Sequence, residues 1–263
     1  MRTPAELQVS RSEQLLKILR QTGSVSVEAL CEQLGVSVAT VRRDLQTLQK
    51  RGLLRRTHGG AEILEPLLYE PFRHDSTFQD QLTKQADEKR RIGAAAANLV
   101  PEGAVIALTA GTTTTEVIRN LKHRSGITVV TNTVNVAMEL SQQQNLKVFV
   151  TGGYLRGDWF SLVGASAARA LRDFHLDIVF LGANAVDPIQ GPACHNPEEA
   201  SINHAMVQQA RRCILVADHS KFSATAAHRI CTVKEIQTIV TDTAAQAEQT
   251  APYADLGIEI IRV

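Results

Sequence analysis

Apolar residues near the start of the chain recur at the spacing of an amphipathic helix. This pattern predicts three helices, over 11–21, from Ser26 to about Gly35, and from Ser37 to Gly52. Serine is a favoured N-cap because its hydroxyl accepts a hydrogen bond from a free amide of the first turn. Glycine is typical of the position just after a helix. The beginning of the chain is therefore predicted to be three short helices joined by tight turns.

The third of these helices is predicted to have two chemically different faces. Val41, Leu45 and Leu48 recur on one side, which we expect to be buried. The opposite side carries small, polar and basic residues, with Arg42 on its flank: Ala39, Arg43, Gln46 and Lys50. A helix with this division exposes positive charge on the side that faces away from its own core.

A β-hairpin is predicted directly after the third helix. Segments 53–57 and 61–64 flank His58-Gly59-Gly60, and such a glycine turn is typical of a hairpin. Three helices followed by a hairpin describe a winged helix-turn-helix domain, predicted over 1–63. A three-helix bundle without a ligand is the alternative. The basic residues of this region, with only Asp44 as a local counter-charge, disfavour that alternative.

The pattern changes in the second part of the chain. Residues 64–80 contain two prolines and lack periodicity, which indicates a linker, and 81–99 are predicted to begin a second domain over 81–263 with a helix. Strands then alternate with helices. The strands are predicted over 105–109, 127–131, 147–151, 177–182, 213–217, 238–241 and 258–261, and the helices over 113–121, 134–140, 165–174 and 198–210. This order predicts an α/β fold with a mostly parallel sheet covered on both faces.

Charge is distributed unevenly along a chain that is almost neutral overall. The 263 residues carry a net charge of +1, but residues 1–62 hold ten Lys or Arg against six Asp or Glu. The remainder holds eighteen against twenty-one. A positive end on an almost neutral chain indicates that this end meets a polyanion.

Several classes of protein are disfavoured by what the sequence lacks. No apolar run is long enough to cross a membrane, and the start of the chain lacks the apolar core of a signal peptide. The four cysteines have neither CxxC pairing nor the spacing of metal ligands. We therefore expect a cytoplasmic protein with reduced thiols, no cofactor, no bound metal and no membrane partner. A redox or zinc role is the less favoured alternative.

A basic helix followed by a basic hairpin suits double-stranded DNA. A helix fits the major groove, where it contacts base edges, and a hairpin can contact the backbone. The residues predicted at this interface come from the third helix and the hairpin: Ser37, Ala39, Thr40, Arg42, Arg43, Gln46, Lys50, Arg55, Arg56 and His58. Operator DNA is usually bound by symmetric proteins, so we also expect a dimer or tetramer of the chain.

Loops at the predicted strand ends carry the chemistry of an anion site. The loop after the first strand begins a helix, whose free amides bind anions. Further polar loops follow the second, third and fifth strands, and carboxyl ends of parallel strands are where such folds bind ligands. The predicted ligand-binding residues are Gly111, Thr112, Thr113, Thr114, Thr115, Asn132, Gly152, Gly153, Glu198 and Lys221. Ordinary turn and capping chemistry, above all for Glu198, is the alternative.

The run from Val36 to Ala61, VSVATVRRDLxxLxxxGxLxRxHGGA, resembles the DNA-binding signature of the DeoR/GlpR family of bacterial transcription regulators. The later blocks Gly111–Thr115, Leu181-Gly182-Ala183, Glu198-Glu199-Ala200 and Asp218–Phe222 are similar to the sensor domain of that family. That domain looks like the sugar-phosphate isomerase and CoA-transferase group of folds. The resemblance implies a repressor of a sugar or polyol operon, controlled by a phosphorylated sugar.

The resemblance is incomplete where an isomerase would carry its catalytic acids. The related isomerases have carboxylates in a block resembling Asp-Gly-Ala-Asp-Glu, where this chain has Leu181-Gly182-Ala183-Asn184-Ala185. The family often has an acidic residue before the phosphate loop, where this chain has Leu108-Thr109-Ala110. An isomerase needs a carboxylate as a proton-transfer base. We therefore predict a binding site without catalytic residues, and a sugar-phosphate isomerase fused to a DNA-binding domain is the alternative.

Overall fold

The computed structural model describes residues 11–263 except 13, 17, 20–21, 51–53, 58, 64–75, 142 and 158, and except the side chains of 50, 63, 76–77 and 79–80. The chain divides into two compact units, Met1–Arg73 and His74–Val263, and each is described by itself. The division falls within the segment predicted as a linker. The last residues of that segment are helical, because a helix begins at Ser76.

The described residues of the first unit form three helices and a small sheet. Every described residue between 11 and 22 is helical (α1). The remaining elements are α2 (Val27–Leu34), α3 (Val38–Lys50), β1 (Ser24–Ser26), β2 (Leu54–Thr57) and β3 (Gly60–Ile63). The strands form an antiparallel sheet in the order β1-β3-β2. The predicted helices and hairpin are confirmed, whereas the sequence gives no sign of β1, because three residues with one apolar side chain form no pattern.

Serine caps begin the second and third helices, as the sequence predicts. The Ser26 hydroxyl accepts a hydrogen bond from the Ala29 amide at 3.1 Å. The Ser37 hydroxyl accepts one from the Thr40 amide at 3.3 Å. The predicted end of α3 at Gly52 lies outside the described residues.

A buried ion pair joins the first and third helices. Val41, Leu45 and Leu48 are fully buried in the core of the unit, as predicted. Asp44 lies on this buried side with 1 % of its side chain exposed, and it accepts hydrogen bonds from Arg11 Nε at 2.5 Å and Nη2 at 3.2 Å. Asp44, which the sequence offers as a local counter-charge for the neighbouring basic residues, is therefore engaged by Arg11 instead.

The second unit is built from twelve strands and seven helices among the residues that the structure describes. The helices are α4 (Ser76–Thr83), α5 (Ala86–Ala97), α6 (Thr112–Leu121), α7 (Val134–Leu140), α8 (Ala165–Ala170), α9 (Pro197–Gln209) and α10 (Ala247–Ala254). The strands are β4 (Val105–Leu108), β5 (Thr128–Thr131), β6 (Lys147–Val150), β7 (Tyr154–Arg156), β8 (Ser161–Val163), β9 (Leu176–Leu181), β10 (Ala185–Asp187), β11 (Gly191–Cys194), β12 (Ala210–Val216), β13 (His228–Arg229), β14 (Thr238–Thr241) and β15 (Glu259–Arg262).

Seven of these strands form one parallel sheet in the order β15-β14-β12-β9-β4-β5-β6. One face packs against α5, α6 and α7, where Ile92, Val117 and Val136 contribute to the core. The other face packs against α8 and α9, represented by Ala167 and Ile202. The predicted α/β fold with a mostly parallel sheet covered on both faces is confirmed.

The structure differs from the predicted elements in two ways. The helix predicted over 81–99 is interrupted, since α4 ends at Thr83 and Gln85 has a positive φ of 48° before α5 begins. The sequence also gives no sign of the hairpin β7-β8, the small sheet β10-β11-β13 or helix α10. The missed strands have two to four residues and lack the apolar runs of the large sheet, such as Val105–Leu108, so neither alternation nor an apolar run reveals them.

Replacing Asp44 by Ala is expected to destabilise the first unit by about 1–3 kcal/mol, because Arg11 loses a charged partner that is itself buried. Amide hydrogen exchange of α2 and α3 in the full chain measures this free energy. Glu32→Ala, an exposed change on α2, is the matched control. Exchange rates in Asp44→Ala equal to those of the control would contradict a stabilising role for the pair.

Candidate DNA-binding surface and anion-binding cleft

The outward face of α3 carries side chains that the core does not use. Ala39, Arg42, Arg43 and Gln46 are exposed, as is Ser37 before the helix, while Thr40 is half-buried. Neither Arg42 nor Arg43 forms an ion pair with any residue in the described part of the chain. The Lys50 side chain, also predicted on this face, lies outside the described residues. The helix therefore presents positive charge that no described residue neutralises.

The two arginines of strand β2 differ in their surroundings. Arg55 stands opposite Glu62 on β3, and its guanidinium lies 2.6 Å from the Glu62 carboxylate. Arg56 is exposed and has no ion-pair partner among the described residues. His58, predicted to contact DNA, lies outside them. Arg56 is consequently the better placed of the two arginines to meet an external anion.

Both glycines after β2 are favoured by the local backbone geometry. Gly59 has φ of 88°, a left-handed conformation that favours glycine. A Cβ on Gly60 would lie 2.4 Å from the carbonyl oxygen of Val25 on β1. The hairpin can therefore pair with β1 only if residue 60 has no side chain.

A cleft in the second unit lies at the carboxyl ends of three neighbouring strands, β12, β9 and β4. Its empty space is about 580 Å³, part of it open to solvent. The residues after these strands line it, namely Ala110 and Gly111, Gly182 to Asn184, and Ala217 with Lys221. The next strand of this sheet after β4 is β5, which lies on one side of β4. The next strand after β9 is β12, which lies on the opposite side, so the order in which strands are added reverses between β4 and β9. Parallel sheets bind ligands at such a switch point.

The first turn of α6 forms one side of the cleft. The first helical hydrogen bond runs from the Thr115 amide to the Gly111 carbonyl at 3.1 Å, so the amides of residues 112–114 precede it. Thr112 and Thr113 line the cleft. The hydroxyls of Thr114 and Thr115 instead donate to the Gly111 carbonyl at 2.9 and 2.8 Å. The expectation that all four threonine hydroxyls serve a ligand is therefore corrected, because two of them hold the turn.

Two lysines supply positive charge beside this helix terminus. Lys221, which the sequence predicts, lies on a 3-10 turn over His219–Ser223 that is capped by the buried Asp218. Lys89 on α5 is the second, and its side chain is 3 % exposed. Its ammonium donates a hydrogen bond to the Gln81 carbonyl at 2.5 Å. The cleft thus combines two cationic side chains with the free amides of a helix, which is the composition of a phosphate site.

Burial perturbs the ionisation of Lys89. The pKa of Lys89 is lowered to about 8, mainly because burial removes hydration from the ammonium; the nearby Asp218 carboxylate opposes this shift, and the charge of Lys221 adds to it. Sequence reasoning missed this residue. The available signal was its position, because Lys89 lies on the buried face of α5 with Ile92 and Ala96. Lysine is almost never fully buried unless its charge is paired, so a lysine on this face indicates a functional or structural partner.

Besides Thr114 and Thr115, four more of the predicted ligand-binding residues do not line the cleft. Asn132, Gly152 and Gly153 follow β5 and β6, which lie on the other side of β4 from β9. The Asn132 amide instead donates to the Leu162 carbonyl at 3.2 Å. Gly153 is required because a Cβ there would lie 2.5 Å from the Val163 carbonyl. Glu198 is exposed, and its neighbour Glu199 lines the cleft in its place.

Three further side chains, none of them among the predicted ligand-binding residues, also line the cleft. Glu199 and Asn203 are four residues apart on α9 and therefore share a face. Trp159, the single tryptophan of the chain, also lines the cleft and stacks edge-on against Phe78 of α4, with 6.0 Å between ring centroids. Helical spacing was the signal available for Asn203, whereas nothing in the sequence places Trp159.

The carboxylate and the thiol that line the cleft are, respectively, held by neighbouring side chains and uncharged. Glu199 accepts a hydrogen bond from the Ser161 hydroxyl at 2.7 Å and lies 3.1 Å from Arg156 Nη1. Burial raises the pKa of Cys194 to about 11, so its thiol is protonated at neutral pH. No group of three His, Cys, Asp or Glu that could hold a metal occurs among the described residues. The described helices are also all too short or too polar to cross a membrane.

Comparison with known proteins gives similarities for both units. A DeoR-like helix-turn-helix domain matches residues 11–66, and a DeoR C-terminal sensor domain matches residues 84–243. A putative aga operon transcriptional repressor of Escherichia coli O157:H7 is 35 % identical over 255 residues, 96 % of this chain and 93 % of the relative. The transcriptional repressor CsqR of E. coli K12 is 33 % identical over 251 residues, 95 % and 94 % of the two chains. The glycerol-3-phosphate regulon repressor of the same strain is 30 % identical over 235 residues, 89 % and 91 %.

Binding of a phosphate monoester is expected to weaken as the pH rises above 8. Lys89 loses its proton around that pH, and a dianion favours the charged lysine, so the affinity should fall about tenfold between pH 7 and pH 9. Titration of Trp159 emission with glucose 6-phosphate or glycerol 3-phosphate measures this. Lys89→Met should remove the dependence, and Lys234→Met, an exposed change outside the cleft, should keep it. The same pH profile in Lys89→Met and the unaltered chain would contradict the role of Lys89.

Proposed function

This chain belongs to the DeoR family of transcription regulators, and from that premise we propose that it represses a sugar or polyol catabolic operon under the control of a phosphorylated sugar. The observation that carries the proposal is the presence, in one chain, of two features: a helix-turn-helix unit with arginines that form no ion pair with the described residues, and a cationic cleft at a helix N-terminus. Such a regulator works in the cytoplasm, where operator DNA and phosphorylated metabolites occur together.

The DNA-binding domain occupies residues 1–63. The sensor domain begins with α4 at Ser76, earlier than the predicted start at residue 81, so the linker between the two domains is confined to residues 64–75. Arg42 and Arg43, with Ala39 and Gln46 beside them, contact base edges from the major groove. Lys50 and the wing residues Arg56 and His58 contact the backbone, and Arg55 joins them only if it leaves Glu62. Phosphate contacts fix the position of the protein on the duplex, whereas base contacts determine the sequence that it prefers.

The phosphate of the effector lies at the first turn of α6. The amides of residues 112–114 and the ammonium groups of Lys89 and Lys221 neutralise its two negative charges. The name of one relative, the glycerol-3-phosphate regulon repressor, supports a phosphorylated effector. In the Trp159 titration, unphosphorylated sugars are expected to leave the emission unchanged.

The sensor domain binds its sugar phosphate without converting it. A free carboxylate is needed for proton transfer in an isomerase. The cleft carboxylate of Glu199 is already held by Ser161 and Arg156, and Asn184 stands where the isomerases have an acid. Turnover of ribose 5-phosphate or glucosamine 6-phosphate by the purified chain would instead favour the isomerase alternative.

The functional form is an oligomer of the chain. Strand β6 at the edge of the large sheet exposes Phe149 and Val150, and Tyr154 and Leu155 follow with 78 % and 59 % of their side chains exposed. Exposed apolar residues at a strand edge are usually covered by another protein surface. A second copy fits this need because operators are usually bound by symmetric proteins. Sedimentation equilibrium of the chain and of Tyr154→Asp distinguishes dimer or tetramer from monomer.

The predicted DNA contacts can be separated by their salt dependence. Affinity is measured by fluorescence anisotropy on a duplex that the protein selects from a random pool. Arg56→Ala should weaken all duplexes alike and reduce the slope of log affinity against log salt by about 1. Arg43→Ala should cost about 1–3 kcal/mol on the selected duplex and much less on random DNA.

Arg172→Ala is the control for these variants, since Arg172 is an exposed arginine of the second unit. It should leave both affinity and slope unchanged. Equal affinity of the unaltered chain for selected and random duplexes at physiological salt would contradict sequence-specific binding.

A further inference from the structure

We propose that Glu199 and Asn203 select the end of the effector that lies opposite the phosphate, so that the cleft takes a sugar or polyol with one phosphate and a hydroxyl- or amino-bearing far end. The proposal rests on the proposed function and goes beyond it, because it names the chemistry of the unphosphorylated end and assigns it to two side chains.

The two sides of the cleft come from helices on opposite faces of the sheet. Helices α5 and α6, which carry Lys89 and the first-turn threonines, pack on one face. Helix α9, which carries Glu199 and Asn203, packs on the other. The cleft spans the sheet edge between them, so a ligand anchored by its phosphate at α6 directs its remaining atoms towards α9. One side is cationic, and the other offers an amide and a carboxylate.

The α9 side presents hydrogen-bond acceptors. Asn203 is 5 % exposed, and its buried Oδ1 meets no donor among the described residues. A buried acceptor without a donor costs free energy unless something supplies one. Glu199, one turn earlier on the same face, presents a carboxylate that is paired with Arg156. A ligand that completes this side therefore donates hydrogen bonds to Asn203 Oδ1 and to the Glu199 carboxylate, and the Asn203 NH2 group can donate in return.

This requirement discriminates between chemical classes of ligand. Hydroxyl and amino groups donate, whereas an ionised carboxylate and a second phosphate only accept. An acid at the far end would also meet the Glu199 charge, and Arg156 is already engaged by that carboxylate. Phosphorylated sugar acids and sugar bisphosphates are therefore disfavoured relative to sugar or polyol monophosphates.

A pair of probes that differ only at the far end tests the selection in the full chain. Glucitol 6-phosphate and 6-phosphogluconate share six carbons and the phosphate, and differ at C1 by a hydroxymethyl group against a carboxylate. Titration of Trp159 emission should show the acid binding at least tenfold more weakly. Equal or tighter binding of the acid overturns the proposal and leaves the proposed function standing. Failure of both probes and of the other sugar phosphates to bind contradicts the proposed function itself.

Two variants assign the selection to its side chains. Glu199→Gln keeps the size of the side chain and its acceptor for Ser161, so discrimination between the probes should fall below threefold while glucitol 6-phosphate still binds. Asn203→Leu should weaken glucitol 6-phosphate about tenfold and leave ethyl phosphate, which lacks the far end, unchanged. A merely structural role would weaken both ligands together, and that outcome would overturn the assignment.

Glu198→Gln is the matched control for the charge change. Glu198 precedes Glu199 in the same helical turn, but it is exposed and does not line the cleft. Its substitution should leave the tenfold discrimination intact. Loss of discrimination in this variant as well would overturn the assignment to Glu199, since the effect would then follow the total charge of the helix terminus.

Discussion

The order of the seven parallel strands determines where this protein can bind an anion. Strands β4 and β9 are neighbours although 67 residues lie between the end of one and the start of the other. Their following loops therefore diverge to opposite faces of the sheet and leave a cleft at the edge. Each residue that we propose to bind the effector lies at the cleft because its helix, strand or loop starts, ends or packs next to this switch point.

The cleft is stable because its charges are held by the surrounding structure. Lys89 is buried but donates to the Gln81 carbonyl, and the Asp218 carboxylate favours its charged form. Glu199 is held by Ser161 and Arg156. A bound phosphate would add a strong partner for Lys89 where the free protein provides only a carbonyl. In the first unit, likewise, a charge is held by a neighbouring side chain: Asp44 pairs with Arg11, so Asp44 does not neutralise the arginines on the outer face of α3.

How much of the structure could be predicted from the sequence depends on whether the signal lies in neighbouring residues or in residues that are distant along the chain. The apolar face of α3, both serine caps and the parallel sheet were predictable because periodicity and capping depend on neighbouring residues. The pairing of Asp44 with Arg11 could not be predicted, because the two residues are 33 positions apart in the sequence. Asn132 and Gly153 were placed in the site because they follow strands, and only the strand order shows that those strands end elsewhere. Lys89 and Trp159 required knowledge of which helix and loop cover the sheet edge.

The most direct test concerns thermodynamic coupling between the cleft and the DNA-binding unit. The dissociation constant of a selected duplex is measured with and without saturating sugar phosphate, and that of the sugar phosphate, from Trp159 emission, with and without saturating duplex. Linkage requires the two ratios to be equal, and we predict a change of at least about fivefold. A sugar phosphate that saturates the Trp159 signal and leaves the affinity for the duplex unchanged would contradict control of DNA binding by this cleft.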